Sequence, residues 1–283
     1  MKYTWAKAIL FIPVWFGSCV IVAIPVFILF PAVFNQQNFI QGIELDVLMM
    51  IIHQIVYFAG TLLSFVIMRE IIGKRNLEFP SIKQRGLFQG GILAVILILV
   101  SFFLILVSGS ISISFIKFDI RTIIMGLLLF VFVAINEELL FRGGILQLLV
   151  KSYSKYAALL VSSILFAVVH LLNSGITWIG FLNIVLSGAI MGELYLRYKN
   201  IVPAISIHLL WNFLQGPILG FAVSGHTIDS VFTISNVSRP MLSGGGFGIE
   251  GSVFTLGVQV VCFIILIFNS IKSKLYITSS TDS

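Results

Sequence analysis

Charge is scarce in this chain. Of its 283 residues only 10% are Asp, Glu, Lys or Arg, while 59% are hydrophobic and the mean hydropathy is +1.10. That balance excludes an ordinary soluble domain and points to a polytopic membrane protein. Cysteine is nearly missing as well: Cys19 and Cys262 are the only two, each midway through a long apolar run. A disulfide framework and a cysteine-held metal site are therefore excluded, and both thiols read as buried and inert. The HExxH spacing of a zinc-binding helix does not occur. There is no tandem repeat and no separate soluble domain.

A net charge of +6 would suggest nucleic acid in a soluble protein, but here the basic residues flank apolar runs. Orientation in a membrane accounts for them, and no nucleic-acid partner is expected.

What is abundant is long apolar sequence. A bilayer core takes about 20 residues as helix, and eight stretches qualify: 9–34, 45–68, 88–108, 121–150, 156–172, 176–196, 201–219 and 252–270. The first is too long for a signal-peptide core and lacks a cleavage pattern, so it is expected to be retained. With a cytoplasmic N-terminus, the inner side collects Lys2, Lys7, Arg69, Lys74, Arg75, Lys83, Arg85, Lys151, Lys155, Arg197, Lys199, Lys272 and Lys274. The outer side holds Lys117, Arg121 and Arg239. Thirteen against three is a strong positive-inside bias. The expected fold is all-α: a polytopic membrane protein of about eight transmembrane helices with both termini cytoplasmic. Its parts are a three-helix region (1–120), a core (121–270) with an outer glycine-rich loop (216–251), and a cytoplasmic tail (271–283).

Six polar groups lie where charge is costly. The stretch "INEELLFRGG", residues 135–144, sets Glu137, Glu138 and Arg142 inside the fourth span. Charged side chains at bilayer depth cost at least about 2.5–3.5 kcal/mol each, so they face a protein interior or a wet cavity and take partners. Glu138 and Arg142 are four apart and share a helical face, which predicts an ion pair, while Glu137 points about 100° away. Later spans supply His170, in "FAVVH", and His208 with Asn212, in "HLLWN".

Such groups can simply glue helices together. Two adjacent carboxylates with two imidazoles suit a chemistry better. A glutamate in a partly apolar cavity can take a proton from water and pass it to a leaving amine. One imidazole can orient the water, while a second and an amide N–H can donate to an oxyanion. The outcome is peptide hydrolysis inside a membrane. Zinc is the alternative: it would accept His170, His208 and a carboxylate, Glu138, leaving the other glutamate as base. Asn212 is a poor third ligand, and the metal-independent route is the preferred expectation.

At these residues the chain resembles the CPBP family, the CAAX-processing and bacteriocin-processing intramembrane endopeptidases. The EExxxR motif is matched by Glu137, Glu138 and Arg142. Phe166 with His170 matches a second motif, and His208 with Asn212 a third. The similarity covers residues 122–252, including "FLNIVLSGAIMGELYLRYKNIVPAISIHLLWNF" and "GGGFGIEGS". The resemblance implies a site built by the fourth, fifth and seventh spans. It implies Glu137 as general base assisted by His170, with His208 and Asn212 as oxyanion donors. Family members are described both as glutamic peptidases and as metalloproteases.

The resulting expectation is an endopeptidase acting on a peptide or membrane-protein substrate in a bacterial cytoplasmic membrane, its cavity open to the cytoplasmic side. The lipid of that membrane is its other partner; oligomeric state is not legible. The alternative is a non-proteolytic bacteriocin self-immunity or scaffold protein of the same fold. Among lesser features, His53 reads as a hydrogen-bonded core residue near Gln54, and His226 as solvated. Glu193 and Arg197 read as an ion pair. Gly143, Gly144, Gly188 and Gly192 read as points of close helix approach.

Overall fold

The structure, a computed structural model, describes residues 4–29, 43–115, 118–235 and 237–279. Lys2, Lys117, the end of the first predicted span (30–34) and the last four residues of the tail lie outside these. The helices, in chain order, are α1 (Thr4–Leu29), α2 (Ile43–Ile72), α3 (Leu87–Val107), α4 (Ile120–Glu138), α5 (Gln147–Leu149), α6 (Lys155–Val169), α7 (Trp178–Tyr198), α8 (Val202–Phe213), α9 (Pro240–Ser243) and α10 (Val253–Ser279). Among the described residues, strand is limited to two four-residue segments, β1 (Ser112–Phe115) and β2 (Phe232–Ser235), which run antiparallel with Ser112 opposite Ser235.

Among the described residues, seven helices are long and apolar enough to cross a bilayer. The chain is thus an all-α, multi-pass integral membrane protein. The difference from the eight predicted spans lies at 201–219. There α8 gives way after Phe213 to a π-helical turn, Leu214–Ile218, which ends near Pro217. Together these segments make a helix slightly shorter than the others, packed between α3, α4 and α7. At the other end, α10 continues as helix to Ser279, well past the predicted boundary at 270.

Between apolar helices in lipid, association depends on close packing and on polar contacts rather than on a hydrophobic drive. α1 meets α2 through the edge-on rings of Phe11 and Phe65, centroids 5.1 Å apart, and through Trp15 Nε1 donating to Thr61 Oγ1 at 3.0 Å. Gly144 sits against the Phe11 ring and Gly143 against Pro80, and Gly192 leaves room for Leu159. These are the close approaches expected of those positions.

The two ends of the bundle differ. At the end bearing Lys151 and Lys199, the connection before α3 is tied down by Asn200, whose side chain donates to the Lys83 and Arg85 carbonyls and accepts from Lys83 N. Gln147 pairs with the main chain of Glu78 in the same way. At the opposite end, the long connection between α8 and α10 folds back over the bundle. Its β2 strand pairs with β1, and Asn183 of α7 donates to the carbonyls of Glu250 and Ser252. Gly248, at φ +90°, permits the tight path of this connection: a side chain there would strike the Ala222 carbonyl.

Candidate functional site

The fourth span is α-helical only to Glu138. From Leu139 to Leu146 it widens into a π-helix, i→i+5 bonded, before resuming as α5. Every residue of the widened segment is buried. Within it, Arg142 is 1% exposed and donates through Nη1 to Glu138 Oε1 at 2.7 Å. The predicted ion pair is formed. Its second nitrogen, Nη2, donates to the Gly188 carbonyl of α7 at 3.1 Å, and the guanidinium carbon stands 4.5 Å from the Phe166 ring centre of α6. Gly188 is needed for this contact, because a Cβ there would lie 3.1 Å from Ser163 Cα. One cation therefore joins three helices and has hydrogen-bond and ring partners for its charge.

Glu138 is fully buried, and its Oε1 also receives His208 Nδ1 at 2.9 Å. Glu137 turns away, as its neighbouring position on the helix requires, and is the exposed member of the pair at 31%. Its Oε2 lies 3.8 Å from His170 Nε2 and 3.8 Å from His208 Nε2. The structure thus brings Glu137, Glu138, Arg142, His170 and His208 into one cluster, with Asn212 buried one turn beyond His208 along the same cavity wall.

The tautomers follow from the partners. His170 Nδ1 is 2.7 Å from the Phe166 carbonyl, which can only accept, so Nδ1 carries the hydrogen. His208 Nδ1 faces a carboxylate already paired with a guanidinium, so it donates too. In their neutral forms both imidazoles then present bare Nε2 lone pairs towards Glu137 Oε2. Three acceptors converge with no donor among them, and Glu137 Oε2 has no hydrogen-bond partner. Chemistry demands a proton or a hydrogen-bond donor at this point, which a water molecule or a second proton on one imidazole can supply.

A zinc ion is the other group that could face such acceptors. Glu138 is badly placed as a ligand, because Oε1 is committed to Arg142 and His208. The nearest set would be Glu137, His170 and His208, whose 3.8 Å separations exceed the roughly 3.3 Å between ligands of a tetrahedral ion bonded at about 2.0–2.1 Å. No group of three His, Cys, Asp or Glu among the described residues has the arrangement of a metal centre. The residues as placed do not fit zinc, and no step below passes through a metal.

The cluster opens onto a cavity of about 1240 Å³, larger than the about 300–1,000 Å³ of a small-molecule pocket. Its walls are mostly apolar, from Ile12 and Phe16 of α1 to Leu129 and Val133 of α4 and Ile184 of α7. All four histidines of the chain line it. His53, expected as a core residue, is half-buried in the wall. His226 is exposed at the rim. Glu193 departs from expectation: its partner is Lys155 of α6, at 2.7 Å, with Ser270 of α10 donating as well, while Arg197 is exposed. The nearer residue in sequence loses to one that reaches the buried carboxylate across the α6–α7 interface.

The direction of the cavity also departs from expectation. Its lining continues from Glu137 to Leu172, Asn173, Val223, Ser224, His226, Ile228 and Glu250, all at the end opposite Lys151 and Lys199. None of the connections at the basic end contributes. α6 begins at Lys155, capped by Ser154, and its full length is needed to carry His170 to the cluster from that end.

Glu250 is the residue that sequence reasoning passed over. It lies in the glycine-rich connection, is 7% exposed, lines the cavity, and accepts from Ser224 N at 2.8 Å and Ser224 Oγ at 2.9 Å. Burial pushes its carboxyl above the ordinary range, with the Ser224 bonds opposing. An acidic residue amid glycines and apolar residues was the available signal. The link from Asn136 Nδ2 to the carbonyl and side-chain oxygens of Gln54, both at 2.9 Å, was also unread; it fixes α4 against α2 one residue before Glu137.

A comparison with known protein families falls on the stretch that carries the site. The family model described as type II CAAX prenyl endopeptidase Rce1-like matches residues 119–214. That stretch contains all six polar residues and ends before Glu250. The chain is also 37% identical over 78 residues to the UPF0177 protein YvdC of Lactococcus lactis subsp. lactis (strain IL1403), covering 27% of this chain and 28% of the relative's own length. The resemblance to the CPBP family is thereby borne out, and at family level it supports an intramembrane protease of the CAAX type.

Proposed function

We propose that this protein is an endopeptidase of the bacterial cytoplasmic membrane that hydrolyses a peptide bond with water activated by Glu137. The observation that carries the reading is the convergence of Glu137 Oε2 with two imidazole Nε2 atoms at the bottom of a cavity at bilayer depth. The Glu137 carboxylate takes a proton from a water oriented by the lone pair of His170 Nε2. The new hydroxide attacks the carbonyl carbon, and the electron pair of the C=O bond moves to oxygen. Asn212 Nδ2 and a protonated His208 Nε2 donate to that oxyanion. Collapse breaks the C–N bond, and the proton held by Glu137 passes to the leaving nitrogen.

Glu138 and Arg142 stay out of the proton transfers. Two carboxylates against one guanidinium leave the cluster one negative charge in excess, so a proton on His208 neutralises it, and Glu138 holds that imidazolium in place. The substrate is a peptide or the segment of a membrane protein, in keeping with the size of the cavity.

The test is cleavage of a peptide panel by the detergent-purified protein. Loss of cleavage in Glu137→Gln with retention in chelator is the expected result. Loss in chelator that zinc restores would overturn the metal-free route. Cleavage undiminished in Glu137→Gln would overturn the assignment of the base.

A further inference from the structure

From the placement of the cavity we infer that the site is entered from the extracytoplasmic face, at the boundary of water and outer leaflet, and that its substrate is a peptide segment presented there. The inference rests on the proposed peptidase reading for the nature of the substrate, but its geometry stands apart from that reading.

Three observations carry it. The first is the lining itself: beyond Glu137 the cavity is walled by Leu172, Asn173, Ser224, His226, Ile228 and Glu250, which belong to the connections after α6 and after α8. The connections after α2, α5 and α7 contribute nothing. The second is charge. The end of the bundle without cavity carries Arg69, Lys74, Arg75, Lys83, Arg85, Lys151, Arg197 and Lys199, whereas among the described residues the cavity end has Arg121 and Arg239. A positive-inside chain therefore holds the mouth of the cavity outside the cytoplasm.

The third is the depth of the mouth. Leu172, on the connection between α6 and α7, is 95% exposed, and Trp178, the first residue of α7, is 82% exposed. A tryptophan so exposed next to a bare leucine marks the level of the lipid headgroups. Leu172 is also part of the cavity wall. The rim thus has an apolar lip in the lipid and, across it, the polar His226, Ser224 and Glu250. That is the chemistry of a substrate lying in the interface with its backbone partly wet, rather than of a freely soluble peptide or a chain end delivered from the cytoplasm.

Single-cysteine variants test the inference without using cleavage. In a Cys19→Ala, Cys262→Ala background, Thr227→Cys reports the rim and Ser152→Cys the basic end. Val133→Cys, with Met50→Cys as a second site should it fail to fold, reports the cavity wall. Intact cells are treated with a small membrane-impermeant thiol reagent and compared with inside-out vesicles. The expected result is labelling of Thr227→Cys and of the wall cysteine in cells, and of Ser152→Cys in inside-out vesicles alone. Labelling of Thr227→Cys only from the cytoplasmic side would overturn the orientation. A rim cysteine labelled from outside with a wall cysteine that is unreactive there would overturn the entry route. A catalytically dead protein with the expected labelling would sink the peptidase reading and leave the entry route standing.

Discussion

The two adjacent glutamates should separate cleanly when each is made neutral. Glu138→Gln leaves Arg142, 1% exposed, with no anion: the 2.7 Å bond to Oε1 loses its charge, and the remaining partners are a carbonyl at 3.1 Å and a ring at 4.5 Å. Breaking a buried pair by removing one partner costs about 3–5 kcal/mol, because the surviving charge stays buried. The glutamine can still accept from Arg142 or from His208, so the lower end, about 3 kcal/mol, is expected. Glu137→Gln touches no ion pair with arginine, keeps its shape, and lies on a side chain 31% exposed to the cavity. Its effect on stability should stay within about 1 kcal/mol, while its effect on cleavage should be a loss of about 10²–10⁴, the range for a general base. Thermal unfolding in one detergent, followed by tryptophan fluorescence, gives the first quantity, and initial rates on the best peptide give the second. Equal destabilisation by the two substitutions would refute the division of labour, and so would a Glu138→Gln protein that melts with the wild type.

Lys155→Met strips the buried Glu193 of its cation but leaves the Ser270 hydroxyl. Since Lys155 keeps 25% of its side chain exposed, the expected cost is about 2 kcal/mol, seen as a lower melting temperature, rather than the full buried-pair value. Gly188→Ala sets a methyl 3.1 Å from Ser163 Cα and should cost about 1–3 kcal/mol by pushing α7 from α6, with a fall in activity as the Gly188 carbonyl leaves Arg142. For Glu250, burial raises the folded carboxyl above its ordinary 4.5, so the folded state holds that proton more tightly. Its contribution is complete below 4.5 and is lost as pH rises through the folded value, so the melting temperature of wild type minus that of Glu250→Gln should fall across this window. A difference independent of pH would refute it.

The sequence reveals the site more readily than its setting. Glu138 and Arg142 could be paired in advance because both lie on one helix, where spacing fixes the face. The motif residues on three spans could be collected because charge and imidazole are so rare in this chain. Contacts between helices obey no spacing rule, and there the reading failed: Arg197 was chosen for Glu193 by proximity in the chain, whereas Lys155 reaches it from another helix. The widening of the fourth span after Glu138 leaves no mark in hydropathy, since π and α turns bury the same residues. The direction of the cavity was misread for a related reason. Counting residues from a basic loop gives a depth along one helix, but an opening is made by connections such as 223–228 and 244–251, whose path depends on Asn183 and on glycines in the left-handed region.

Arg142 divides the molecule mechanically. Its partners come from α4, α6 and α7, so sliding of α6 or α7 past the fourth span separates the guanidinium from its aromatic ring or its carbonyl. They behave as a single block. α1 and α2 give the cavity Pro13, Trp15, Phe16, His53 and Tyr57 but hold no part of the guanidinium. That pair is held to the block instead by the Asn136–Gln54 bonds and by the Phe11 ring against Gly144, so the wall it gives the cavity is anchored beside Glu137 without drawing on the guanidinium.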